Sequence, residues 1–98
     1  MKVNAQSVNF TADVKLINFV QNRLNKLELF YDKVISSDVY LKLENTSSKE
    51  NKIVEIKVHV PKDKFVVKKQ CKTFEEAVDA ACGSLERRLV KRKEKLRV

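Results

Sequence analysis

Glycine and proline are almost missing from this chain, with one of each in 98 residues. So little glycine excludes a glycine-rich loop that cradles phosphates, and so few breakers exclude long flexible linkers. There is no internal repeat and no low-complexity tract. No apolar run approaches the roughly 20 residues that a membrane-spanning helix needs. The opening "MKVNAQSVNF" has one lysine but no apolar segment of the kind a secretory signal carries. The expectation is a cytoplasmic protein. Cysteine occurs twice, as Cys71 and Cys82, too few for a disulfide framework and without the spacing of a zinc site. Both read as small, partly buried thiols. Histidine occurs once: His59 falls on the outward side of a strand pattern, where a surface role suits it better than general-base work. With no nucleophile elbow and no metal spacing, neither an enzyme, a cofactor nor a metal site is expected.

What the chain has is positive charge. Lys and Arg number 21 against 13 Asp and Glu, a formal net charge of +8, and the pI is near 9.6. That balance favours a polyanionic partner, most simply nucleic acid. An anionic membrane fits less well, because helices that lie on membranes expose large apolar faces. At 43% hydrophobic and 35% charged residues, the chain has enough apolar side chains for a core, and residues 1–98 read as a single domain.

The apolar pattern alternates between two periods. "KVNAQSVN" (2–9) reads as a first strand with Val3 and Ala5 on one face. From Ala12 to about Glu28, Leu16, Ile17, Val20, Leu24 and Leu27 recur three or four apart, the stripe of an amphipathic helix. Thr11 is the expected N-cap, and Asp13 suits the positive helix end. "LELFYDKV" (27–34) leads off this helix, with Phe30 and Tyr31 as packing anchors. "DVYLKLE" (38–44) and "KIVEIKVHV" (52–60) alternate with period two, as half-buried strands of an antiparallel sheet do. "NTSSKEN" (45–51) is a polar loop between them. "PKDK" (61–64) is a turn, and "FVVKKQC" (65–71) a fourth strand paired with the third. A second helix opens on "TFEE" (73–76), a capping box with Thr73 at N-cap and Glu76 reaching back. Its core stripe is Phe74, Val78, Ala81, Leu85 and Leu89, with Ala77 and Cys82 at the margins. Gly83, unfavourable in mid-helix, is expected to let this helix lie close on the sheet. The order β-α-β-β-β-α predicts a two-layer α+β sandwich, a four-stranded sheet with two helices on one face. The other face, carrying Tyr40, Lys42, Glu55, Lys57 and His59, is expected to stay solvated.

The charge concentrates in "LERRLVKRKEKLRV" (85–98), where seven Lys or Arg from Arg87 to Arg97 face one acid, Glu94. Arg88, Lys91, Arg92 and Lys95 form one stripe, and Arg87, Lys91 and Lys95 another. Like charges at these spacings repel by roughly 0.2–0.5 kcal/mol per pair, and the helix dipole offsets this only over the last turn. A partner that supplies negative charge removes the penalty. Lys15, Arg23 and Lys26 on the first helix extend the basic surface if the two helices lie side by side. A broad array of Lys and Arg reads backbone geometry rather than base sequence. Apart from Tyr40, the outward strand faces lack the aromatics of single-strand stacking modes.

"VQNRLNKLELFYDKV" (20–34), "VYLKLE" (39–44) and "EEAVDAACGSLERRLVKRKEKL" (75–96) together resemble the ribosome hibernation-promoting factor family in its short form. The resemblance covers nearly the whole chain and is most specific in the second helix. It implies a β-α-β-β-β-α fold and a place on the small ribosomal subunit, against 16S-type ribosomal RNA in the channel for messenger and transfer RNA, where such proteins hold idle ribosomes inactive. The positions matching the family's basic positions are Arg23, Lys26, Arg88, Lys91, Lys93 and Lys95; Arg87 and Arg92 add charge beyond some relatives. There are departures. Many relatives carry a tyrosine where this chain has Glu75, and Phe74 is expected to take over its packing. The turn "PKDK" lacks the glycine seen in many relatives. No C-terminal dimerisation domain of the long form is expected, and the free protein is expected to be a monomer.

Two alternatives remain open on the sequence. One is a general double-stranded RNA-binding protein, since such domains also lay helices on a sheet (a dsRBD-like arrangement) and bind duplex by shape. The other is a protein-interaction module that uses the sheet face.

Overall fold

The alternating segments form four strands, β1 Lys2–Val8, β2 Ser36–Leu43, β3 Lys52–Val60 and β4 Asp63–Cys71, and the helical stripes form α1 Val14–Asn25 and α2 Phe74–Leu96. The structure, a computed structural model, describes residues 2–44, 47 and 49–96. Part of the loop expected over 45–51 lies outside the described residues, as does Arg97. The strands lie in the order β1-β2-β3-β4. The pairs β2–β3 and β3–β4 are antiparallel, as the alternation predicts. β1 instead runs parallel to β2, because α1 carries the chain back across the sheet between them, the crossover that a parallel pair requires. The sheet is therefore mixed.

Both helices pack on one face, giving the predicted two-layer α+β sandwich. Leu16, Val20 and Leu24 of α1 meet Val39, Leu41, Val54, Ile56 and Val58 of the sheet, and α2 adds Phe74, Val78, Ala81, Leu85 and Leu89. Ala77 and Cys82, expected at the margin of the α2 stripe, are fully buried. Phe74 stacks on Phe10 with ring centroids 4.7 Å apart, so it does anchor the start of α2. α1 gives way to a 3-10 turn at Lys26–Leu29. Leu27 and Tyr31 are buried there, while Phe30 is half-buried.

Thr73 caps α2 as expected, with the Glu76 backbone N–H donating to Thr73 Oγ1 at 3.1 Å; the expected return bond to the Glu76 side chain does not form among the described residues. The cap of α1 is Asp13 rather than Thr11. Asp13 has an extended backbone, and its Oδ1 accepts from the Leu16 N–H at 2.8 Å; a carboxylate there also complements the helix dipole. Gly83 does not lie against the sheet. A methyl group built on it would meet only the Arg87 side chain, at 4.0 Å, so its presence owes nothing to helix–sheet contact.

The β3–β4 hairpin pairs Val60 with Asp63, which leaves Pro61 and Lys62 as a two-residue loop. Lys62 takes φ 66°, the left-handed region that glycine occupies at least cost. Across the sheet from the helices, Lys42 is exposed as expected, while Tyr40, Glu55, Lys57 and His59 are half-buried and Ile53 is buried. The middle of this face is therefore more covered than the sequence suggests, because its side chains shield one another, whereas Asn4, Gln6, Val66 and Lys68 towards the sheet edges are exposed. Asp38 accepts from Asn4 Nδ2 at 3.1 Å and lies 3.0 Å from His59 Nε2, and the Lys57 ammonium sits 5.8 Å from the Tyr40 ring centroid.

Candidate nucleic-acid interface

With Leu85 and Leu89 turned into the core, the 3.6-residue repeat of α2 decides where each of its cations points. Arg87, Lys91 and Lys95 form an outward row one turn apart, all exposed, and Lys93 is exposed on the flank that also carries Glu86. None of the four has an ion pair with another described residue. The same holds for Lys26, exposed on the 3-10 turn, and that turn packs against α2.

The remaining three cations are held by the protein itself. Arg23 of α1 reaches across the helix seam, with Nε 2.9 Å from Asp79 Oδ1 and Nη1 2.6 Å from Glu86 Oε1, and its side chain is only 19% exposed. Burial alone would lower its pKa, but the hydrogen bonds to Glu86 and Asp79 outweigh burial and hold it above the usual value. Arg92 donates to Asp63 Oδ2 at 3.1 Å and to the Pro61 carbonyl at 2.7 Å, which ties α2 to the hairpin loop. Arg88 donates one N–H to the Val66 carbonyl at 3.0 Å and so occupies an outward-facing acceptor on the edge strand β4 while its side chain stays exposed.

The basic surface expected over both helices is therefore divided. The seam between α1 and α2 is locally neutralised by Asp79 and Glu86, and the unpaired charge runs along the C-terminal half of α2. Charge counting along α2 missed this, although Asp79 and Glu86, seven apart, fall on one flank and were available to a facing arginine. Sequence reading also missed that Asp63 and Phe65 join Arg88, Lys91, Arg92 and Lys95 around an open groove of about 240 Å³. No periodic signal in α2 reports what β4 places beside it.

The two thiols take no part in this surface. Burial pushes the Cys82 pKa up to about 12, which leaves it an inert core side chain. Burial also raises that of Cys71.

Fold and surface together define a class, a small two-layer α+β domain with one strongly cationic helix. The model of the family described as Sigma 54 modulation protein / S30EA ribosomal protein matches residues 3–97. A ribosome hibernation promoting factor of Pseudomonas putida is 28% identical over 95 residues, covering 97% of this chain and 89% of that protein. One from Azotobacter vinelandii is 26% identical over 95 residues, covering 97% and 85%. Among solved structures, a ribosomal subunit interface protein from Coxiella burnetii superposes with a TM-score of 0.83 at 18% identity, over 96% of this chain and 99% of that one. The N-terminal domain of Thermus thermophilus Protein Y gives 0.80 at 21% identity, over 93% and 98%; at these identities both likenesses speak to the fold. The chain belongs to the Sigma 54 modulation protein / S30EA ribosomal protein family, which is not a family of enzymes.

Proposed function

We propose that this chain is a cytoplasmic ribosome hibernation factor, which binds the small ribosomal subunit in the channel for messenger and transfer RNA and keeps idle ribosomes from translating. The observation that carries the reading is the row Arg87, Lys91 and Lys95, exposed and without an acidic partner among the described residues. Left unpaired, such a row destabilises its own helix; a ribosomal RNA backbone supplies the missing negative charge. Membership of a family whose curated relatives are named ribosome hibernation promoting factors supports the ribosome as the source of that RNA.

The mechanism is electrostatic and steric. Lys26, Arg87, Arg88, Lys91, Lys93 and Lys95 neutralise phosphates of 16S-type ribosomal RNA. Arg23 and Arg92 act mainly by fixing α2 against α1 and the hairpin, so that the row is presented on a rigid element. The body of the domain then occupies space that messenger and transfer RNA need. Replacing Lys91 and Lys95 together with Glu reverses two charges at the middle of the row. The double variant is expected to keep its circular dichroism spectrum and melting temperature, lose nearly all co-sedimentation with small subunits, and no longer inhibit translation in a purified system. Full binding by a folded double variant would remove the basis of the proposal.

A further inference from the structure

The groove between the C-terminal half of α2 and the β3–β4 hairpin has features that a strip for gripping phosphates does not need. It is concave, with about 240 Å³ of space. Four cations line it against one carboxylate, and an aromatic ring, Phe65, lies among them. Two of the cations are fixed in advance, since Arg88 is bonded to the Val66 carbonyl and Arg92 to Asp63 and the Pro61 carbonyl. A guanidinium held in place loses little freedom on binding and offers its flat face for stacking. The other two, Lys91 and Lys95, stand one turn apart with exposed, unpaired ammonium groups.

Rings and fixed guanidinium planes suit a nucleobase, and a pair of mobile ammonium groups suits a phosphate. The geometry points to a site for one unstacked nucleotide, its base against Phe65 and the Arg88 guanidinium and its phosphate between Lys91 and Lys95. The nucleotide belongs to a single-stranded RNA segment or is a free nucleoside polyphosphate, since both present the same ring and phosphate. The scarcity of aromatics on the outward strand faces does not argue against this, because Phe65 pairs with Val58 on the helix side of the sheet. The inference rests on α2 being the RNA-facing element and adds that this face reads more than backbone charge.

The test uses the intact chain without ribosomes and three probes at one salt concentration: ATP, inorganic tripolyphosphate of comparable charge, and a short oligouridylate. ATP is expected to bind about tenfold more tightly than tripolyphosphate, the scale of one base–aromatic stack. The Phe65→Leu variant is expected to lose that preference while binding tripolyphosphate as before, and Phe65→Tyr to keep it. Oligouridylate binding more tightly than ATP assigns the site to an RNA strand, and the reverse assigns it to a free nucleotide; both support the site. Equal affinity for ATP and tripolyphosphate, or a preference that survives Phe65→Leu, overturns it. Should Phe65→Leu fail to fold, nuclear magnetic resonance of the unmodified protein decides. Shifts of the Phe65 ring protons with ATP but not with tripolyphosphate support the site, and identical shifts overturn it. Loss of the ring preference in a chain that still sediments with ribosomes counts against this inference alone, whereas ring preference without ribosome binding counts against the hibernation reading alone.

Discussion

At the scale of single residues, two positions, one in α2 and one in β2, carry consequences for stability. Gly83 sits in mid-helix with space around it, its nearest neighbour being an Arg87 nitrogen 4.0 Å from a built Cβ. Gly83→Ala is therefore expected to raise stability by about 1 kcal/mol, measured as a shift in the urea midpoint at unchanged slope. Asp38 is the second. The hydrogen bond from Asn4, then that with His59, holds its carboxyl below the ordinary value of 3.8. A depressed carboxyl pKa stabilises the fold above the unfolded value, and that contribution is lost as pH falls through the folded value. Asn4→Ala removes the larger cause, so the Asp38 pKa is expected to move up toward 3.8, and stability at neutral pH to fall slightly. Carboxyl-carbon titration by nuclear magnetic resonance follows the pKa and a urea unfolding curve the stability, and an unmoved Asp38 pKa would show that Asn4 does not set it.

At the scale of elements, the Arg23 clasp joins α1 to α2, and Arg92 joins α2 to the hairpin. Breaking the first by Arg23→Gln leaves Glu86, only 21% exposed, without its cation. A loss of about 1 kcal/mol is expected, near the upper end for exposed pairs because Asp79 is open to solvent while Glu86 is not. A chemical denaturation curve measures it, and the same variant is expected to lose far less ribosome affinity than the Lys91, Lys95 double variant. Much at this scale was legible in the sequence. The alternation from Lys52 to Val60 marked β3 with its boundaries, and Thr73 with Glu76 marked the start of α2, because both signals are local. The cap of α1 was misplaced by two residues, since Thr11 and Asp13 are both good caps by residue type and only the folded chain shows that Asp13 is the one whose side chain meets the Leu16 N–H. The Arg23 pairs span 56 and 63 residues of sequence, and no local pattern carries such a distance. Phe65 read simply as the start of a strand; its place beside Lys91 and Lys95 follows from β4 lying under α2.

At the scale of the whole molecule, the net charge of +8 is unevenly spread, neutralised at the helix seam and left unpaired along the end of α2. If the six free or partly free cations of that face each meet one phosphate, log affinity for the small subunit falls against log salt with a slope of about −4 to −5. A plain solvated helix end shows no such dependence, and a partner for the sheet face shows a weaker one. The most direct test is sedimentation of the purified protein with small subunits, whole ribosomes and an unrelated long RNA duplex, across a range of salt concentrations. Retention by small subunits and ribosomes but not by duplex, with that slope, is the expected result. Equal retention by the duplex, or none by either ribosomal particle, would contradict the account.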